Sequence, residues 1–521
     1  MAVSSPPTFG AATNPAAGSV RKEFESLGSN TSLYAYRRGG GIVPDTSYYS
    51  GIGLGTSGSP LQLTQFAGLT AAINFQGQVD GYVADGAAAA DTSGNIYMSV
   101  VEFDSALNYV SFNMIKLSTT GSVLWKKKYT SSSLTVYPRT MLIDGSGNPY
   151  LIGYGSYPIG DGTYGSKLFI AKFNASTGGI TWQKTITTTS ADKQLTPRDA
   201  KIDPTGSYIF ICGGDGLATM STGQGFLCKM DLNGTLSWFK TNHTGYGYYA
   251  QQQYSPYQGL WWYNNPVGDE HTSIDFDTTN NRIICGQSWN SGPGIVAYDY
   301  SGNRLYAKRF TALSATQYSG DARVVVAGAS YYLSCAMGYN NSDTDSNVYP
   351  YVVKINTDGT FNSILARSSE NANTGYLTTQ TDLITDGSYL YSMMHGWTLV
   401  KMNTAGTIQW KRAVSNSYGG YGTQNTLQGS TYINCSSYYM PGLYGSANTA
   451  IQYINKFPTD GSGTGTHGTF TYTTSSITLD TAGYFNTVIV YTGPVTQSWP
   501  AVNGDLTLVG DSTLTLTMSN F

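Results

Sequence analysis

The sequence contains few charged side chains. Asp, Glu, Lys and Arg make up 11% of its 521 residues, and the formal net charge is −3. An average soluble domain carries about 25% charged residues. A protein that binds nucleic acid through phosphate contacts needs a basic surface, so we expect no nucleic-acid partner.

Long apolar runs are missing as well. The longest, such as residues 324–328, fall far short of a membrane-spanning helix, which needs about 20 residues. Residues 1–7 have neither the basic region nor the apolar core of a signal peptide. We therefore expect synthesis in the cytoplasm and no insertion into a membrane.

Cysteine and histidine are scarce and scattered. The five cysteines are Cys212, Cys228, Cys285, Cys335 and Cys435. The four histidines are His243, His271, His395 and His467. Neither set has the spacing of metal ligands, and an odd number of unclustered cysteines predicts free thiols rather than disulfides. We expect no metal and no cofactor.

Glycine and tyrosine are abundant, with 62 and 42 residues, and the sequence repeats. The repeated phrase is an apolar strand with a Lys, a polar turn with a Gly, and an apolar strand that ends in Trp. The Lys position is occupied by Lys116, Lys172, Lys229, Tyr298, Lys354, Lys401 and Lys456. Successive copies are 56, 57, 69, 56, 47 and 55 residues apart, so one period near 55 holds over seven copies.

Each repeat contains a second phrase of the same kind. It has an apolar strand, an Asp, a turn with Gly or Asn, and another apolar strand, as in residues 141–152. Four short strands joined by Gly-rich turns are the pattern of a propeller blade, and stacking such sheets around an axis buries their faces. The sequence therefore predicts an all-β fold, a seven-bladed β-propeller of four-stranded blades over residues 69–462.

The repeat also assigns positions within a blade. The tryptophans are expected on the outer strand, packed against the next blade rather than around a cofactor; they are Trp125, Trp182, Trp238 and Trp410. Four cysteines fall near the end of the second strand, where a small buried residue close to the hub accounts for them: Cys212, Cys285, Cys335 and Cys435.

Residues 463–521 form a short β-rich tail, with plain alternation at 506–509 and 514–518. We expect these strands to complete the last blade, to form a small separate sheet, or to pair with another subunit of a homo-oligomer. Ring closure is expected either from residues 470–474 or from residues 74–82 at the front of the propeller.

Residues 1–68 form a small N-terminal module outside the repeat. They contain, in order, KEF at 22–24, SLYAYRRGGG at 32–41, VP at 43–44 and LQLTQF at 61–66. This order resembles a module that opens many bacteriophage virion proteins, especially tail-associated ones, and the KxNxxGxxxW phrases of the propeller are similar to those of phage structural proteins. The resemblance implies attachment to other virion proteins through Phe24, Tyr34, Tyr36, Arg37, Arg38 and Phe66.

The longest interval of the repeat holds an aromatic loop. Its candidate binding residues are Tyr246, Tyr248, Tyr249, Tyr254, Tyr257, Trp261, Trp262 and Tyr263. Tyr and Trp offer large, stiff, half-polar surfaces that suit recognition. Three roles stay open: contact with a host glycan or receptor, contact with another subunit, and packing on the loop's own propeller.

Catalytic motifs are weak in this sequence, and we expect no catalytic residues. Residues 53–58 match GxGxxG but lack the strand and helix that flank a nucleotide-binding loop. Asp269, Glu270 and His271 are expected in a solvated loop. Residues 343–347 resemble half of a calcium loop but lack its Gly and distal Glu.

These observations predict a non-enzymatic virion structural protein of a tailed phage. It would be associated with the tail fibre or baseplate and would bind a host receptor or glycan. A capsid decoration protein is the first alternative. The second is an enzyme, either a polysaccharide depolymerase or a quinoprotein-like dehydrogenase. A glycosidase needs two carboxylates around the sugar bond; several Asp residues could meet in a propeller, but no motif indicates them.

Overall fold

The computed structural model describes the following residues: 75–80, 83–103, 109–160, 163–187, 193–217, 220–242, 268–289, 292–311, 322–340, 346–368, 382–394, 398–416, 421–428, 431–439, 450–462, 464–467, 470–481, 486–489, 494–496, 501–503, 506–510 and 515–520. Every regular element in these ranges is a β-strand, as the all-β prediction requires. Within them no helix is long and apolar enough to cross a membrane.

Successive strands form antiparallel sheets of four. β1 is Phe75–Asp80. Sheet A contains β2 (Val83–Ala90), β3 (Ile96–Phe103), β4 (Tyr109–Leu117) and β5 (Val123–Ser131). Sheet B contains β6 (Thr135–Ile143), β7 (Pro149–Gly160), β8 (Thr163–Phe173) and β9 (Ile180–Ile186). Sheet C contains β10 (Lys193–Ile202), β11 (Tyr208–Leu217), β12 (Met220–Asp231) and β13 (Leu236–Asn242).

The same meander continues along the chain. Sheet D contains β14 (Gly268–Asp277), β15 (Arg282–Trp289), β16 (Gly292–Tyr298) and β17 (Arg304–Thr311). Sheet E contains β18 (Arg323–Ala327), β19 (Ser330–Asn340), β20 (Ser346–Ile355) and β21 (Phe361–Ser368). Sheet F contains β22 (Asp382–Thr385), β23 (Tyr389–Met394), β24 (Thr398–Asn403) and β25 (Ile408–Asn416).

Sheet G differs because its fourth strand comes from the front of the propeller. It contains β26 (Tyr421–Gln428), β27 (Thr431–Tyr439) and β28 (Ala450–Pro458), and β1 pairs with β28 in the antiparallel sense, with Phe75 opposite Lys456. This pairing involves one of the two segments that the sequence allows for closure, the one within residues 74–82.

The first strands of neighbouring sheets lie against one another. β2 contacts β6, β6 contacts β10, and the series continues through β14, β18, β22 and β26. β26 and β27 also lie against β2. The first strands therefore line a central hub from which the sheets radiate, which is the arrangement of a β-propeller.

The hydrophobic core is divided among the interfaces between sheets. One cluster combines residues of sheets A and B, such as Phe112 and Phe173, and others combine B with C, C with D, D with E and E with F. Tyr129 shows how tightly these faces meet: its ring stacks on Phe112 at 4.9 Å, and its hydroxyl donates to the Gly178 carbonyl at 2.6 Å. Burial of each large side chain stabilises the stack by about 1.5–3 kcal/mol.

The outer tryptophans clamp each sheet to the next. The indole N–H of Trp125 donates to the Ala175 carbonyl at 3.2 Å, and that of Trp182 donates to the Leu232 carbonyl at 3.2 Å. Both acceptors lie in the turn between the third and fourth strands of the following sheet. Trp410 makes the same bond to Thr459, and in sheet D the hydroxyl of Tyr306 replaces the indole and donates to Thr357. The predicted role of the Trp positions is confirmed for these indoles.

The C-terminal tail adds one more strand to the outside of every sheet. Its strands are β29 (Gly465–His467), β30 (Phe470–Thr474), β31 (Leu479–Asp480), β32 (Asn486–Ile489), β33 (Pro494–Thr496), β34 (Ala501–Asn503), β35 (Leu506–Gly510) and β36 (Thr515–Asn520). β30 pairs with β25, β31 with β21, β32 with β17, β33 with β13, β34 with β9, β35 with β5, and β36 with β1. This arrangement differs from the three roles that the sequence left open.

Candidate functional site

Both sets of binding residues chosen from the sequence lie outside the described residues. The aromatic loop Tyr246, Tyr248, Tyr249, Tyr254, Tyr257, Trp261, Trp262 and Tyr263 falls between β13 and β14. The attachment set Phe24, Tyr34, Tyr36, Arg37, Arg38 and Phe66 precedes β1. Their roles stay predictions, as does the resemblance of residues 1–68 to virion proteins.

The structure offers a different site, a polar cavity of about 410 Å³ in the hub. Its walls are the first strands of sheets A to F. We call it the hub pocket and define it by its charged lining residues: Arg139, Arg198, Asp199, Lys201, Asp275, Arg323 and Asp382. A concave site with convergent polar groups from several elements is where a small ligand binds.

β-Bulges help bring long side chains to this pocket. The ladder between the first two strands shifts register between Pro138 and Thr140 in sheet B and between Pro197 and Asp199 in sheet C. The residues skipped by the shift are Arg139 and Arg198, and both line the pocket. A bulge leaves one residue out of the ladder and re-aims its side chain.

Carboxylates of the pocket also join the sheets to one another. Asp199 Oδ2 accepts the backbone N–H of Ile274 in the next sheet at 3.1 Å. Asp275 Oδ2 accepts the N–H of Val326, one sheet further on, at 2.7 Å. These bonds satisfy strand N–H groups that face the hub, so the same carboxylates fix the walls of the pocket.

Two sets of ion pairs organise the pocket. Lys201 donates to Asp275 at 2.8 Å, and Arg198 pairs with Glu270 at 2.8 Å. In the second set Arg323 stands between two carboxylates, 3.8 Å from Asp199 and 4.0 Å from Asp382. The three residues of this second set come from sheets C, E and F, which the chain builds far apart in sequence.

Burial shifts the protonation of the pocket. It raises the pKa of the Asp199 carboxyl above the ordinary value, against the opposing effects of Arg323 and Lys201. Burial disfavours the ammonium form of Lys201, but the carboxylates of Asp275 and Asp199 outweigh it and raise the pKa of Lys201. Burial thus dominates at Asp199, whereas the neighbouring carboxylates dominate at Lys201.

The expectation for Asp269, Glu270 and His271 is wrong. All three belong to strand β14 rather than to a solvated loop, and His271 is fully buried. Its Nε2 lies 2.6 Å from the Tyr298 hydroxyl, and burial lowers the pKa of His271 to about 3. A histidine that stays neutral inside a sheet is a packing residue, since it has no access to solvent.

The cysteines agree with the sequence where they are described. Cys212, Cys285 and Cys335 lie on the second strands of sheets C, D and E, Cys228 lies on the third strand of sheet C, and all four are free and buried. Burial, with the neighbouring Cys285, raises the pKa of Cys212 well above its ordinary value. In the described ranges no group of three or more His, Cys, Asp or Glu side chains is placed to hold a metal ion.

Sequence reasoning missed the hub pocket, although a positional signal exists. Asp199 and Asp382 both lie four residues before the Asp that follows their strand, Asp203 and Asp386. Ser273, the equivalent residue of sheet D, also lines the pocket. Alignment of the first strands on the terminal Asp would have placed these polar side chains at one level of the hub.

Comparison with known proteins identifies no family. No family model matches the chain, and no curated protein matches it. Solved structures with which it aligns include an exo-1,5-α-L-arabinanase from a bovine ruminal metagenomic library, at 12% identity and TM-score 0.29, covering 73% of this chain and 94% of that one. A second is an α-L-arabinanase of Penicillium chrysogenum complexed with arabinobiose, at 9% identity and TM-score 0.34, covering 73% and 98%.

A third aligned structure is the β-propeller domain of the Trilobed protease from Pyrococcus furiosus, described as having an open velcro topology. It shares 9% identity at TM-score 0.33, covering 72% of this chain and 93% of that one. TM-scores this low carry no argument about the chemistry of this chain.

The comparisons do correct the functional prediction. Glycoside hydrolases recur among the aligned structures, and none of the structures named here is a virion protein. The predictions of a virion protein for host attachment and of a chain without enzymatic activity are contradicted.

Proposed function

We propose that sheets A to G close into a seven-bladed propeller whose hub pocket hydrolyses a carbohydrate. Closure is supported by the position of sheet G, since β26 contacts β22 on one side and β2 on the other. It is also supported by the pairing of β1 with β28, which joins the front of the propeller to its last sheet. Closing the ring removes the exposed faces of sheets A and G.

The observation that carries the proposed activity is the arrangement of Asp199, Arg323 and Asp382. Hydrolysis of a glycosidic bond uses two carboxyl groups, one to protonate the leaving oxygen and one to assist the attack. Asp199 suits the acid role because burial raises its pKa. Asp382 lies across the guanidinium of Arg323 and supplies the second carboxylate.

The reaction follows from these positions. Asp199 donates its proton to the glycosidic oxygen as the carbon–oxygen bond breaks, and Asp382 accepts a proton from the water that attacks the sugar carbon. The guanidinium of Arg323 lies within 4.0 Å of both carboxyl groups, so it can hold the two in place on either side of the sugar bond. Arg323 donates to the Thr272 carbonyl at 3.0 Å, which fixes the guanidinium in place.

The charges of the pocket favour a neutral substrate. Arg139, Arg198, Lys201 and Arg323 are balanced by Asp199, Asp275, Asp382 and Glu270, of which Glu270 pairs with Arg198. When Asp199 holds the proton that it donates, four cations face three carboxylates, and an excess of one positive charge is far short of what binding of a polyanion needs. Hydroxyl groups, which donate and accept, match a lining that contains both donors and acceptors.

Turnover by the full-length protein tests this proposal. The protein is incubated with neutral plant and bacterial polysaccharides, and new reducing ends are measured. We expect Asp199→Asn and Asp382→Asn to lower kcat by about 10²–10⁴-fold, the usual contribution of general acid–base catalysis. We also expect the loss of activity at high pH to disappear in Asp199→Asn.

A matched control is available in the turn of sheet C. Asp231→Asn makes the same chemical change at a position where other repeats carry Asn174, Asn356 and Asn403, and its turn bonds to Asn233 and Thr235 need only an oxygen acceptor. It should retain wild-type turnover. Wild-type protein that binds a glycan without cleaving it, or pocket variants that keep full activity, would contradict the proposal.

A further inference from the structure

The tail visits the sheets in an order opposite to the order in which the chain builds them. Its strands pair in turn with sheets F, E, D, C, B and A, and the last strand pairs with sheet G. Every pairing is antiparallel and uses the outermost strand of the sheet. A single extended segment thus runs around the rim of the propeller.

The spacing of these strands is regular. From β30 to β36 they begin at residues 470, 479, 486, 494, 501, 506 and 515, so one strand and one short link serve each sheet. An edge strand exposes unpaired N–H and C=O groups that invite pairing with another chain. The tail covers that edge in each of sheets A to G.

The start of the tail is anchored by side chains. The Tyr472 ring stacks on Phe457 of sheet G at 4.7 Å, and Ile477 is only 2% exposed. Asp480 then accepts two bonds from the Arg367 guanidinium, at 2.8 and 2.6 Å. These contacts fix β30 and β31 to sheets E, F and G, so the path begins at a defined place on the rim.

The end of the tail meets the strand that completes sheet G. β1 pairs with β28 on one edge, from Phe75↔Lys456 to Val79↔Gln452, and with β36 on the other, from Phe75↔Asn520 to Asp80↔Thr515. β1 reaches sheet G from the opposite end of the propeller segment, so no hairpin turn connects it to β28 and only strand pairing holds it there. Its second edge depends on β36.

We propose that residues 464–521 act as a peripheral strap, which covers the outer edge of every sheet and secures ring closure by holding β1 in sheet G. The inference rests on the ring proposed above and not on the chemistry of the hub pocket. The first strand of the propeller segment, β1, and its last strands, β26 to β28, then lie in the same sheet, sheet G. Loss of β36 releases β1 before any other strand.

Amide hydrogen exchange tests the strap directly. A chain that ends at residue 514 lacks β36 but retains all other tail strands. We expect exchange of the β1 and β28 amides to rise by tenfold or more, while β11 and β12 exchange as in the full chain, because local opening follows local pairing. Ser512→Pro, which lies between β35 and β36, is the control with a full-length tail and should leave β1 protected. Unchanged exchange in β1 after truncation would overturn the strap.

Cross-strand disulfides give a second measurement that does not depend on truncation. Gly77 faces Met518 and Gln78 faces Thr517. Adjacent pairs alternate between hydrogen-bonded and non-hydrogen-bonded positions, so the double variants G77C/M518C and Q78C/T517C sample both geometries. We expect at least one to oxidise within a single chain, and the out-of-register G77C/T515C not to do so. Cross-linked dimers, or no register preference, would overturn the strap within one chain.

Discussion

At the scale of single residues, the turns between third and fourth strands show how closely neighbouring sheets pack. Gly359 has φ of +83° and lies against the preceding sheet, where a Cβ atom would meet the Tyr306 ring at 2.6 Å. Gly328, in another turn of the same sheet, has φ of +59° but nothing within 4 Å of such an atom. Gly328 is therefore required only by its positive φ, whereas Gly359 is also required because a larger residue would clash with the neighbouring sheet.

This pair predicts unequal costs for the same substitution. Gly328→Ala should lower the free energy of unfolding by about 1 kcal/mol, the strain of a positive φ. Gly359→Ala should lower it by about 2–4 kcal/mol, because overpacking against Tyr306 is added. Chemical denaturation measures both. In a Tyr306→Leu background the cost of Gly359→Ala should approach that of Gly328→Ala; equal costs in the wild-type background would argue against the clash.

His271 predicts a dependence of stability on pH. Its folded pKa of about 3 lies below the ordinary 6.5, so between these values the unfolded chain binds a proton that the folded chain does not. The contribution of His271 to the free energy of unfolding is therefore fully present above about pH 6.5 and is lost as the pH falls toward 3. At pH 5 the loss is about 2 kcal/mol.

Comparison with a variant isolates this effect from other titrating groups. The free energy of unfolding of His271→Gln should fall less than that of the wild type when the pH is lowered from 8 to 5, by about 2 kcal/mol. Denaturant midpoints at a series of pH values measure it. Parallel curves for the two proteins would show that His271 is not the buried neutral group described here.

At the scale of elements, the first strands combine packing with site formation. Their bulges carry Arg139 and Arg198 toward the hub, and their carboxylates accept N–H groups of the next sheet. The outer strands have a different task, since their indoles and hydroxyls bind carbonyls of the following sheet. The inner strands thus shape a pocket, while the outer strands set the distance between sheets.

The pairing of β31 with β21 predicts a measurable anchor. Asp480→Asn removes the charge that accepts both bonds from Arg367, and we expect a loss of about 1 kcal/mol in unfolding free energy, since the pair is partly exposed. Asp358→Asn is the control, because in the described residues the Asp358 carboxylate accepts hydrogen bonds from Thr360 of its own turn and has only a charge interaction with Lys308 of the preceding sheet. The Asp480 effect should shrink in high salt; equal effects of the two variants would contradict the anchor.

At the scale of the whole molecule, the repeat predicted much of the architecture. A period near 55 residues and strands bounded by Gly turns indicated sheets of four, and the recurring Trp indicated packing between sheets. Both features could be predicted from the sequence because the same pattern recurs in each repeat. The hub pocket could not be predicted in this way, because its residues differ from one repeat to the next. The residues that line it include Thr140, Asp199, Ser273, Arg323 and Asp382.

The path of the tail was equally hidden. Alternating residues at 506–509 and 514–518 predicted strands, but an alternating strand can pair with any free edge of suitable register. Only the arrangement of the sheets makes their outer edges available in succession. The pairing of β1 with β28 was likewise visible only in the structure.

The sequence by itself determined the local units: strands by alternation, turns by glycine and aspartate, and contacts between neighbours by a residue type that recurs. The tertiary structure alone decided which unlike side chains share the hub, which edge each tail strand covers and which strand completes sheet G. The physical reason is range. Local conformation depends on adjacent residues, whereas a pocket or a strap depends on the relative positions of sheets that lie tens to hundreds of residues apart.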